Sequence, residues 1–279
     1  MTAADTAPLA TGRGDGAEPM LELRNLHVSY GNIAAVKGLN LDVYPGEIVT
    51  LIGANGAGKT TFFNVLTGLY RPTAGRVFLT ERDVTGKAPH KIAALGLART
   101  FQNIRLFNLM TAEENVMVAM HSHLRSGITS TVFRMPWQRR EERRAHDASR
   151  DLLEFVGIAK VRNEYARNLS YGDQRRLEVA RALAVQPKVL LLDEPTAGMN
   201  PQESARFVDF VHRVRDEKRV SVLLIEHDMS VVMRVSERIT VLDRGERIAE
   251  GGPDEIRANE RVVEAYLGTS GTRDEGRRS

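Results

Sequence analysis

Residues 53–60 combine glycine, lysine and threonine at the spacing of a phosphate-binding loop. They read Gly-Ala-Asn-Gly-Ala-Gly-Lys-Thr, which matches the pattern G-x-x-x-x-G-K-[ST], the Walker A motif. Glycines let the backbone turn tightly and bring its N–H groups against phosphate oxygens. In such loops Lys59 would reach the β- and γ-phosphates, and the Thr60 hydroxyl would ligate Mg²⁺. A glycine-rich turn that binds nothing is the weaker alternative, because four fixed residue types occur in the required context.

A second group of candidate residues follows an apolar run. Residues 189–192 read Val-Leu-Leu-Leu and precede Asp193 and Glu194, as in a buried parallel strand with carboxylates at its C-terminal edge. Ligands of parallel α/β sheets bind at that edge. Asp193 is therefore a candidate Mg²⁺ ligand. Glu194 is a candidate acceptor for a proton of the attacking water, a role worth ~10²–10⁴-fold in rate. An Asp-Glu turn without a function is the weaker alternative.

Two further motifs gain meaning beside these residues. His227 follows a strand predicted at 220–225 and shares the same sheet edge, where contact with a γ-phosphate is reasonable. A lone histidine at a strand end is otherwise more often structural. Residues 170–173, Ser-Tyr-Gly-Asp, fit a capping box that opens a helix. A serine and free N–H groups at a helix start form a second phosphate site, although the motif alone would favour a simple cap.

The elements that must position these residues form an α/β pattern. A strand at 47–52 and a helix at 60–69 flank the phosphate loop, which is the context that the motif requires. Alternating apolar residues between 21 and 43 predict short, antiparallel strands. Further strands are predicted at 76–79, 189–193, 220–225 and 239–242, and helices at 90–95, 112–123, 138–156, 170–187, 201–218 and 253–267.

The pattern predicts one main domain over residues 20–268. Residues 1–19 are small and polar and predict a disordered tail, and residues 269–279 predict a flexible one. Residues 110–167 are interpreted as a mainly helical insertion between two parts of this domain, because residues 112–123 have helical spacing and residues 138–156 have a charged and then an amphipathic helical pattern.

Composition excludes several classes of protein. The 279 residues are 42% hydrophobic and 27% charged, as in ordinary globular domains. The chain has no cysteine, hence no disulfide and no Cys-ligated zinc, and its net charge of +3 is too small to argue for nucleic acid. No apolar run approaches the ~20 residues of a spanning helix. The N-terminus lacks the apolar core of a signal peptide. We therefore expect neither a membrane crossing nor export, while docking on a membrane protein stays open.

In their order along the chain, the motifs resemble those of the ATP-binding subunits of ABC transporters. The resemblance covers residues 21–267, and the combination is far more specific than any single motif. It consists of an aromatic residue (Tyr30), the phosphate loop (53–60), a glutamine loop (Gln102), a signature (169–174), an acidic strand end (Asp193-Glu194) and a histidine switch (His227). The resemblance implies a P-loop NTPase core of the ABC ATPase type. Its sheet would be mainly parallel and flanked by helices, with an N-terminal antiparallel β part and a helical insertion.

The resemblance also implies ATP and Mg²⁺ as cofactors, with a role for each motif residue. Tyr30 would stack on adenine, and Ser170 and Gly172 would contact the γ-phosphate of ATP held by a partner subunit. The loop residues that bind phosphates and Mg²⁺ would be Gly53, Asn55, Gly56, Ala57, Gly58, Lys59, Thr60 and Thr61.

The same resemblance implies the catalytic and metal-binding residues. Glu194 would act on the attacking water and His227 on the γ-phosphate. Gln102 would touch the metal and the water and report to a membrane subunit. The metal ligands would be Thr60, Gln102 and Asp193.

One phosphate loop and one signature imply half of a head-to-tail pair that sandwiches two ATP. The second ATPase subunit would be an identical or related chain. ATP binding would close the pair, hydrolysis would reopen it, and two transmembrane permease subunits would convert the motion into alternating access. A periplasmic or extracellular solute-binding protein would act indirectly, and no nucleic acid is expected. The chain would lie peripherally on the cytoplasmic face of the inner (plasma) membrane.

Two departures from the commonest family pattern favour one branch. Tyr171 stands where many members have a second glycine, and Asn200 where many have Asp. With residues 99–107, the basic insertion near Trp137 and residues 265–268, they are similar to subunits that serve branched-chain amino acid uptake (the LivG type). Importers of urea, amides or other small polar solutes are alternatives. The lipopolysaccharide-export ATPase is another, although a Gly-Gly signature and Asp at position 200 are expected there.

A soluble ABC ATPase acting on ribosomes or DNA is the alternative from another class. Translation-factor members carry two nucleotide domains in one chain, and this chain has room for one. DNA-repair members insert long coiled coils, and no heptad run is present. A regulatory module without turnover would be expected to lose Glu194 or His227, and both residues are present. The loop 102–107, polar and then apolar, suits docking of a short helix of a membrane subunit.

Overall fold

The computed structural model describes residues 17–120 and 136–267. The disorder predicted for the tails falls almost entirely on residues 1–16 and 268–279, which lie outside the described residues, as do residues 121–135 of the predicted insertion. The division into domains stays a prediction.

The strands form two sheets. They are β1 (Leu21–Tyr30), β2 (Ile33–Val43), β3 (Ile48–Gly53), β4 (Ala74–Leu79), β5 (Arg82–Asp83), β6 (Leu97–Arg99), β7 (Val189–Asp193), β8 (Ser221–Ile225), β9 (Arg238–Asp243) and β10 (Glu246–Gly251). One sheet has the order β2-β1-β4-β5 with antiparallel pairs. The other has the order β10-β9-β3-β8-β7-β6, in which only β10 is antiparallel to its neighbour. This architecture agrees with the predicted fold class.

Helices flank the sheets. They are α1 (Lys59–Leu66), α2 (Pro89–Ala94), α3 (Ala112–Met120), α4 (Pro136–Phe155), α5 (Tyr171–Ala184), α6 (Pro201–Lys218), α7 (Met229–Val235), α8 (Pro253–Ala258) and α9 (Glu260–Leu267), with 3₁₀ turns at Ala159–Val161 and Ala166–Asn168. Within the described ranges, none of these helices combines the length and the apolar composition that a bilayer crossing requires.

The central strands read as apolar runs because both faces of their sheet are covered. Every residue of β3, β7 and β8 is buried, as expected for parallel strands between layers of helices. Asp193 pairs with Ile225, and Leu51 pairs with the same Ile225 from the other side. The chain therefore leaves β3, β7 and β8 at one common edge. That edge carries the phosphate loop, Glu194 and the residues after Ile225.

The segment between β6 and α5 contains α3, α4 and the 3₁₀ turns. An isolated antiparallel bridge between Thr111 and Tyr165 joins its two ends. Val116, Leu153 and Leu177 lie in one buried cluster, so α3 and α4 share a core with α5. Glu113 on α3 binds His146 and Arg150 on α4, which ties the two helices together.

Some predicted boundaries differ from those in the structure. The helix after the phosphate loop ends at Leu66 and not at residue 69, because Gly68 and Leu69 donate to Val65 and Asn64 carbonyls in a Schellman motif. The strands between 21 and 43 have 10 and 11 residues and are not short. The last strand that the sequence predicts, at 239–242, corresponds to β9 (Arg238–Asp243). Sequence reasoning missed β5, β6, α7 and β10 altogether.

Candidate nucleotide-binding and catalytic site

The phosphate loop joins β3 to α1 and needs glycine at two close approaches. A Cβ on Gly53 would lie 2.3 Å from the Leu242 carbonyl oxygen, and one on Gly58 would lie 2.3 Å from that of Ala35. Gly58 also has a φ of +100° and stands at the N-cap of α1 without a capping side chain. The first turn of α1 therefore has backbone N–H groups that can donate hydrogen bonds to a bound anion. They lie at the positive end of the helix dipole.

Lys59 lies buried inside this loop. Its side chain is buried, and its Nζ donates to the carbonyl oxygens of Gly53 at 2.6 Å and Ala54 at 3.0 Å. Burial lowers the pKa of Lys59, while the negative charges of Glu194 and Asp193 oppose that shift. The lysine thus lies in the electrostatic reach of both carboxylates, where it can bind phosphate oxygens.

The remaining loop residues form one continuous stretch around Lys59. Asn55, Gly56 and Thr60 are exposed, and Thr61 is half-buried at the start of α1. Ala57 is buried, and its carbonyl accepts the N–H of Gly245. The structure therefore groups all the predicted loop residues at the sheet edge, and their contacts with a nucleotide stay a prediction.

Asp193 lies in a buried ion pair that the sequence did not reveal. Its Oδ2 accepts from Arg99 Nη2 at 2.6 Å, and both side chains are 6% exposed. Arg99 also donates to Asn64 Oδ1 at 2.8 Å and lies over the rings of Phe63 and Phe101. In the sequence, Arg99 is only one residue of the 99–107 run that favours one branch of the family, whereas in the structure it fixes the orientation of the Asp193 carboxylate.

The structure brings Gln102, Glu194 and His227 together. Gln102 Nε2 donates to Glu194 Oε2 at 2.9 Å, and His227 Nδ1 lies 3.8 Å from the same oxygen. The three come from different loops at the common sheet edge. This arrangement can hold a water next to a carboxylate that accepts its proton. The nearby imidazole can stabilise the negative charge that develops on a phosphate oxygen.

Glu194 has an unusual backbone conformation. Its φ is +44°, in the left-handed region that residues other than glycine rarely adopt. Its N–H donates to the Ile225 carbonyl at 2.9 Å, and its own carbonyl accepts from Ala197 N–H. Strain of this kind costs of order 1–3 kcal/mol and persists where the surroundings hold it, often at functional sites. The observed conformation therefore supports a functional role for this residue.

A buried pair on α5 fixes the glutamine loop. Arg175 donates to the carbonyl oxygens of Phe101 at 2.8 Å and Gln102 at 2.5 Å. Glu178 accepts from Phe101 N–H at 3.1 Å and pairs with Arg175 at 3.2 Å. Burial raises the pKa of Glu178, although the Phe101 N–H and the Arg175 charge act in the opposite direction. The backbone of the glutamine loop is thus bound to the signature helix.

The signature itself starts α5 and reaches the loop after Glu194. Ser170 is the N-cap, and its hydroxyl accepts from Asp173 N–H at 3.2 Å. The Asp173 carboxylate accepts from the Ser170 hydroxyl at 2.8 Å, so the predicted capping box is present only in its first half. The Tyr171 hydroxyl donates to the Ala197 carbonyl at 3.2 Å. Ser170 and Gly172 are exposed, and Ser170 contacts Asp173 rather than the phosphate loop of its own chain.

Tyr30 lies at the end of the β1–β2 hairpin. Its ring is 44% exposed and meets the Tyr70 ring edge-on, with 5.6 Å between centroids. The second strand of this hairpin approaches the phosphate loop at Ala35 and Gly58. A half-exposed aromatic ring near the loop suits stacking on a base.

The predicted Mg²⁺ ligands offer oxygen atoms, which this ion prefers. Thr60 and Gln102 are exposed, and Asp193 contributes a carboxylate with one oxygen bound by Arg99. In the part of the chain that the structure describes, no three His, Cys, Asp or Glu side chains gather as a metal site. Mg²⁺ held with a nucleotide is usually bound by one or two carboxylates and completes its shell with phosphates and waters. A sparse set of oxygen donors therefore fits it.

Two family models match the chain. The model described as "ABC transporter" matches residues 36–197. The model described as "Branched-chain amino acid ATP-binding cassette transporter" matches residues 246–272.

Curated relatives match over almost their whole length. The high-affinity branched-chain amino acid transport ATP-binding protein LivG of Escherichia coli (strain K12) is 45% identical over 252 residues, which is 90% of this chain and 99% of the relative. The corresponding protein BraF of Pseudomonas aeruginosa is 46% identical over the same shares. A probable LivG of Archaeoglobus fulgidus is 37% identical over 249 residues, 89% of this chain and 95% of the relative.

Solved structures share the fold. The ADP conformation of an ATP-binding cassette of an ABC transporter matches with a TM-score of 0.78 and 30% identity, covering 90% of this chain and 99% of that one. A dimeric post-hydrolysis state of an ATP-binding cassette bound to ADP and phosphate matches with a TM-score of 0.70 and 26% identity, covering 84% and 99%.

Proposed function

Since the chain belongs to the ATP-binding subunits of ABC transporters, we propose that it hydrolyses ATP to energise import of branched-chain (hydrophobic) amino acids through partner permeases. The observation that carries the choice of substrate is the similarity over nearly the whole chain to LivG and BraF, joined by the match at residues 246–272 to a branched-chain model. The substrate itself would contact the permeases and not this chain.

The residues at the common sheet edge can perform the hydrolysis. The phosphate loop and Lys59 would bind the β- and γ-phosphates. Glu194 would accept the proton of the attacking water, Gln102 would orient that water, and His227 would contact the γ-phosphate. Tyr30 would stack on the adenine.

Thr60, Gln102 and Asp193 would hold Mg²⁺. When bound with ATP, the ion neutralises charge on the phosphate oxygens. The ion pair with Arg99 supports this assignment, because it fixes the direction of the Asp193 carboxylate.

The chain works with a second ATPase and with permease subunits. We infer that the ATPases pair head to tail, so that Ser170 and Gly172 contact the γ-phosphate of the ATP held by the partner. Their exposure at the start of α5 supports this role. In the branched-chain family the partner is usually a related chain. Two transmembrane permeases would complete the transporter at the cytoplasmic face of the membrane, with a solute-binding protein acting indirectly from outside.

The surface beside the glutamine loop suits the permease contact. Phe107, Leu109 and Met110 are 45%, 73% and 36% exposed. Phe107 also lines a mainly apolar cavity of about 700 Å³, whose wall includes Leu106 and, on α5, Ala182. The buried side chain of Asn115 holds this loop, because it accepts from Phe107 N–H at 2.9 Å and donates to carbonyls of Phe107 and Thr111. A short amphipathic helix would fit such a surface.

Replacing Phe107 with Asp tests that contact. We expect transport to be lost and basal ATPase activity to be kept, because a charge would oppose burial of the apolar surface against the permease. Val263→Asp on α9, which also replaces an exposed apolar residue (42%), serves as the matched control and should transport normally. Uptake in membrane vesicles and ATPase activity of the purified chain would be measured in parallel. If transport survived Phe107→Asp, the docking site would lie elsewhere.

Purification from native membranes in mild detergent tests the function as a whole. We expect two polytopic permeases and a second ATPase to accompany the chain, and ATP-driven uptake of labelled leucine by vesicles that contain the complex. Uptake of labelled urea without leucine would reassign the substrate. A complete absence of membrane proteins, with ATPase activity retained, would favour a soluble ABC ATPase instead.

A further inference from the structure

Glu226 is a carboxylate at the site edge that has no exposed surface. It follows β8 directly and is 0% exposed. Its Oε1 accepts from the Thr196 N–H at 3.1 Å and from the Thr196 hydroxyl at 2.5 Å. Its Oε2 accepts from the N–H groups of His227 at 3.0 Å and Asp228 at 3.4 Å. Both oxygens are therefore filled by donors, and each oxygen serves a different loop.

These two loops carry the proposed catalytic residues. Thr196 lies two residues after Glu194, in the loop between β7 and α6, and His227 lies next to Glu226 in the loop between β8 and α7. The strands β7 and β8 are neighbours, so the loops leave the sheet side by side. Through its hydrogen bonds, the Glu226 side chain connects the loop of Glu194 with the loop of His227.

The catalytic side chains need such a bond because little else holds the imidazole. The His227 side chain is 61% exposed, and its Nδ1 lies 3.8 Å from both Glu194 Oε2 and Glu226 Oε2, beyond hydrogen-bond distance. His227 is instead fixed through its backbone, because its N–H donates a hydrogen bond to the Glu226 carboxylate. The Thr196 hydroxyl and three backbone N–H groups donate to the two oxygens of this side chain, so it joins the two loops directly.

We propose that Glu226 is a positioning residue, which sets the spacing of His227 and Glu194 by joining their loops. The inference rests on the proposed roles of these two residues. It adds a role for a residue whose side chain is fully buried beside the site. Its effect should appear in the rate of the chemical step and not in nucleotide binding, because the phosphate loop is not among its partners.

Glu226→Gln in the full-length chain is the main test. The amide keeps the shape, but its NH₂ group cannot accept from the N–H donors that face it. We expect kcat for ATP hydrolysis to fall about 10²-fold, as for a misplacement near 1 Å, while the Kd of a fluorescent ATP analogue stays within a factor of about 3. Thr196→Val should lower kcat in the same way, and Thr196→Ser should restore it, since the hydroxyl is kept.

A double-mutant cycle separates positioning from general stability. In a His227→Ala background, Glu226→Gln and Thr196→Val should cost no further activity if they act through His227. A loss of the same size in both backgrounds would overturn the proposal. If His227→Ala alone left hydrolysis intact, the role of His227 in the proposed function would fail as well. Tm values of all variants would be compared, and Thr196→Val replaces Glu226→Gln if the latter does not fold.

Discussion

Arg99 and Asp193 form an ion pair in which both side chains are buried. Taking two charges out of water costs several kcal/mol per ion, so such a pair is favourable only when other groups also bind them. Asn64 accepts a second bond from Arg99, and the rings of Phe63 and Phe101 lie near its guanidinium. The pair therefore joins α1, β6 and β7 around the carboxylate proposed to bind Mg²⁺.

Arg99→Leu should be strongly destabilising, because it leaves the Asp193 charge buried and unpaired. We expect a loss of about 3–5 kcal/mol, measured by urea unfolding. Arg24→Leu is the control, since Arg24 forms an exposed ion pair with Glu22, and it should leave the free energy of unfolding nearly unchanged. Equal losses in the two variants would contradict the importance of the buried pair.

Glu194→Gln should separate binding from hydrolysis. The amide cannot accept the proton of the attacking water, so the rate should fall by ~10²–10⁴-fold, while ATP binding, measured by equilibrium dialysis, is kept. The variant also changes the acceptor of the Gln102 amide. A rate near that of the unchanged chain would assign the general base to another residue.

The sequence alone predicted the residues of the site that occur in motifs. The sequence predicts Glu194 and His227 at one sheet edge, and the family resemblance predicts that Gln102 touches the same metal and water. The structure brings the three side chains together. The sequence did not predict Arg99 or Glu226 as functional residues. Their partners are 94 and 30 positions away along the chain, and pairing across such distances depends on the register of neighbouring strands, which no local pattern contains.

Among the elements, α6 has a complete capping box at its N-terminus. The Asn200 side chain accepts from Gln202 N–H at 3.0 Å and Glu203 N–H at 2.9 Å, and Glu203 accepts from Asn200 N–H at 2.9 Å. Pro201 occupies the first helical position, where no N–H is needed. The departure from Asp at position 200 therefore leaves the helix well capped.

Asn200→Ala should lower the free energy of unfolding by about 1 kcal/mol, since two N–H groups lose their acceptor. Asn200→Asp should change it by only a few tenths of a kcal/mol, because the two residues cap equally well. Both values would come from urea unfolding. A large loss in Asn200→Asp would show that the amide has a partner beyond the cap.

Elements were predicted best where their pattern was long. The predicted bounds of α6 match the structure, and β7 coincides with its apolar run. The missed strands β6 and β10 are the two edges of the six-stranded sheet. The first has three residues, and the second has only one buried residue among its six. An edge strand is held by one neighbour and need not show a continuous apolar run, so its sequence carries a weak signal.

At the scale of the whole molecule, one phosphate loop and one signature predict ATP-dependent pairing. With ATP, the Glu194→Gln chain should form a stable dimer with itself or with the related ATPase from the same membranes, because hydrolysis no longer opens the pair. With ADP it should be monomeric. Light scattering after size exclusion would measure the mass. Ser170→Arg should prevent the dimer by placing a bulky side chain against the partner, and an ATP dimer that persists in this variant would contradict the head-to-tail arrangement.

The bonds from Arg175 and Glu178 to the glutamine loop have an evolutionary consequence. Both side chains bind backbone atoms of Phe101 and Gln102, so the attachment does not depend on which side chains follow. The outer residues of that loop are free to diverge as permeases diverge, while the loop stays anchored to the signature helix. Lineages that acquire new membrane partners would thus be expected to keep this anchor and vary the side chains beyond it.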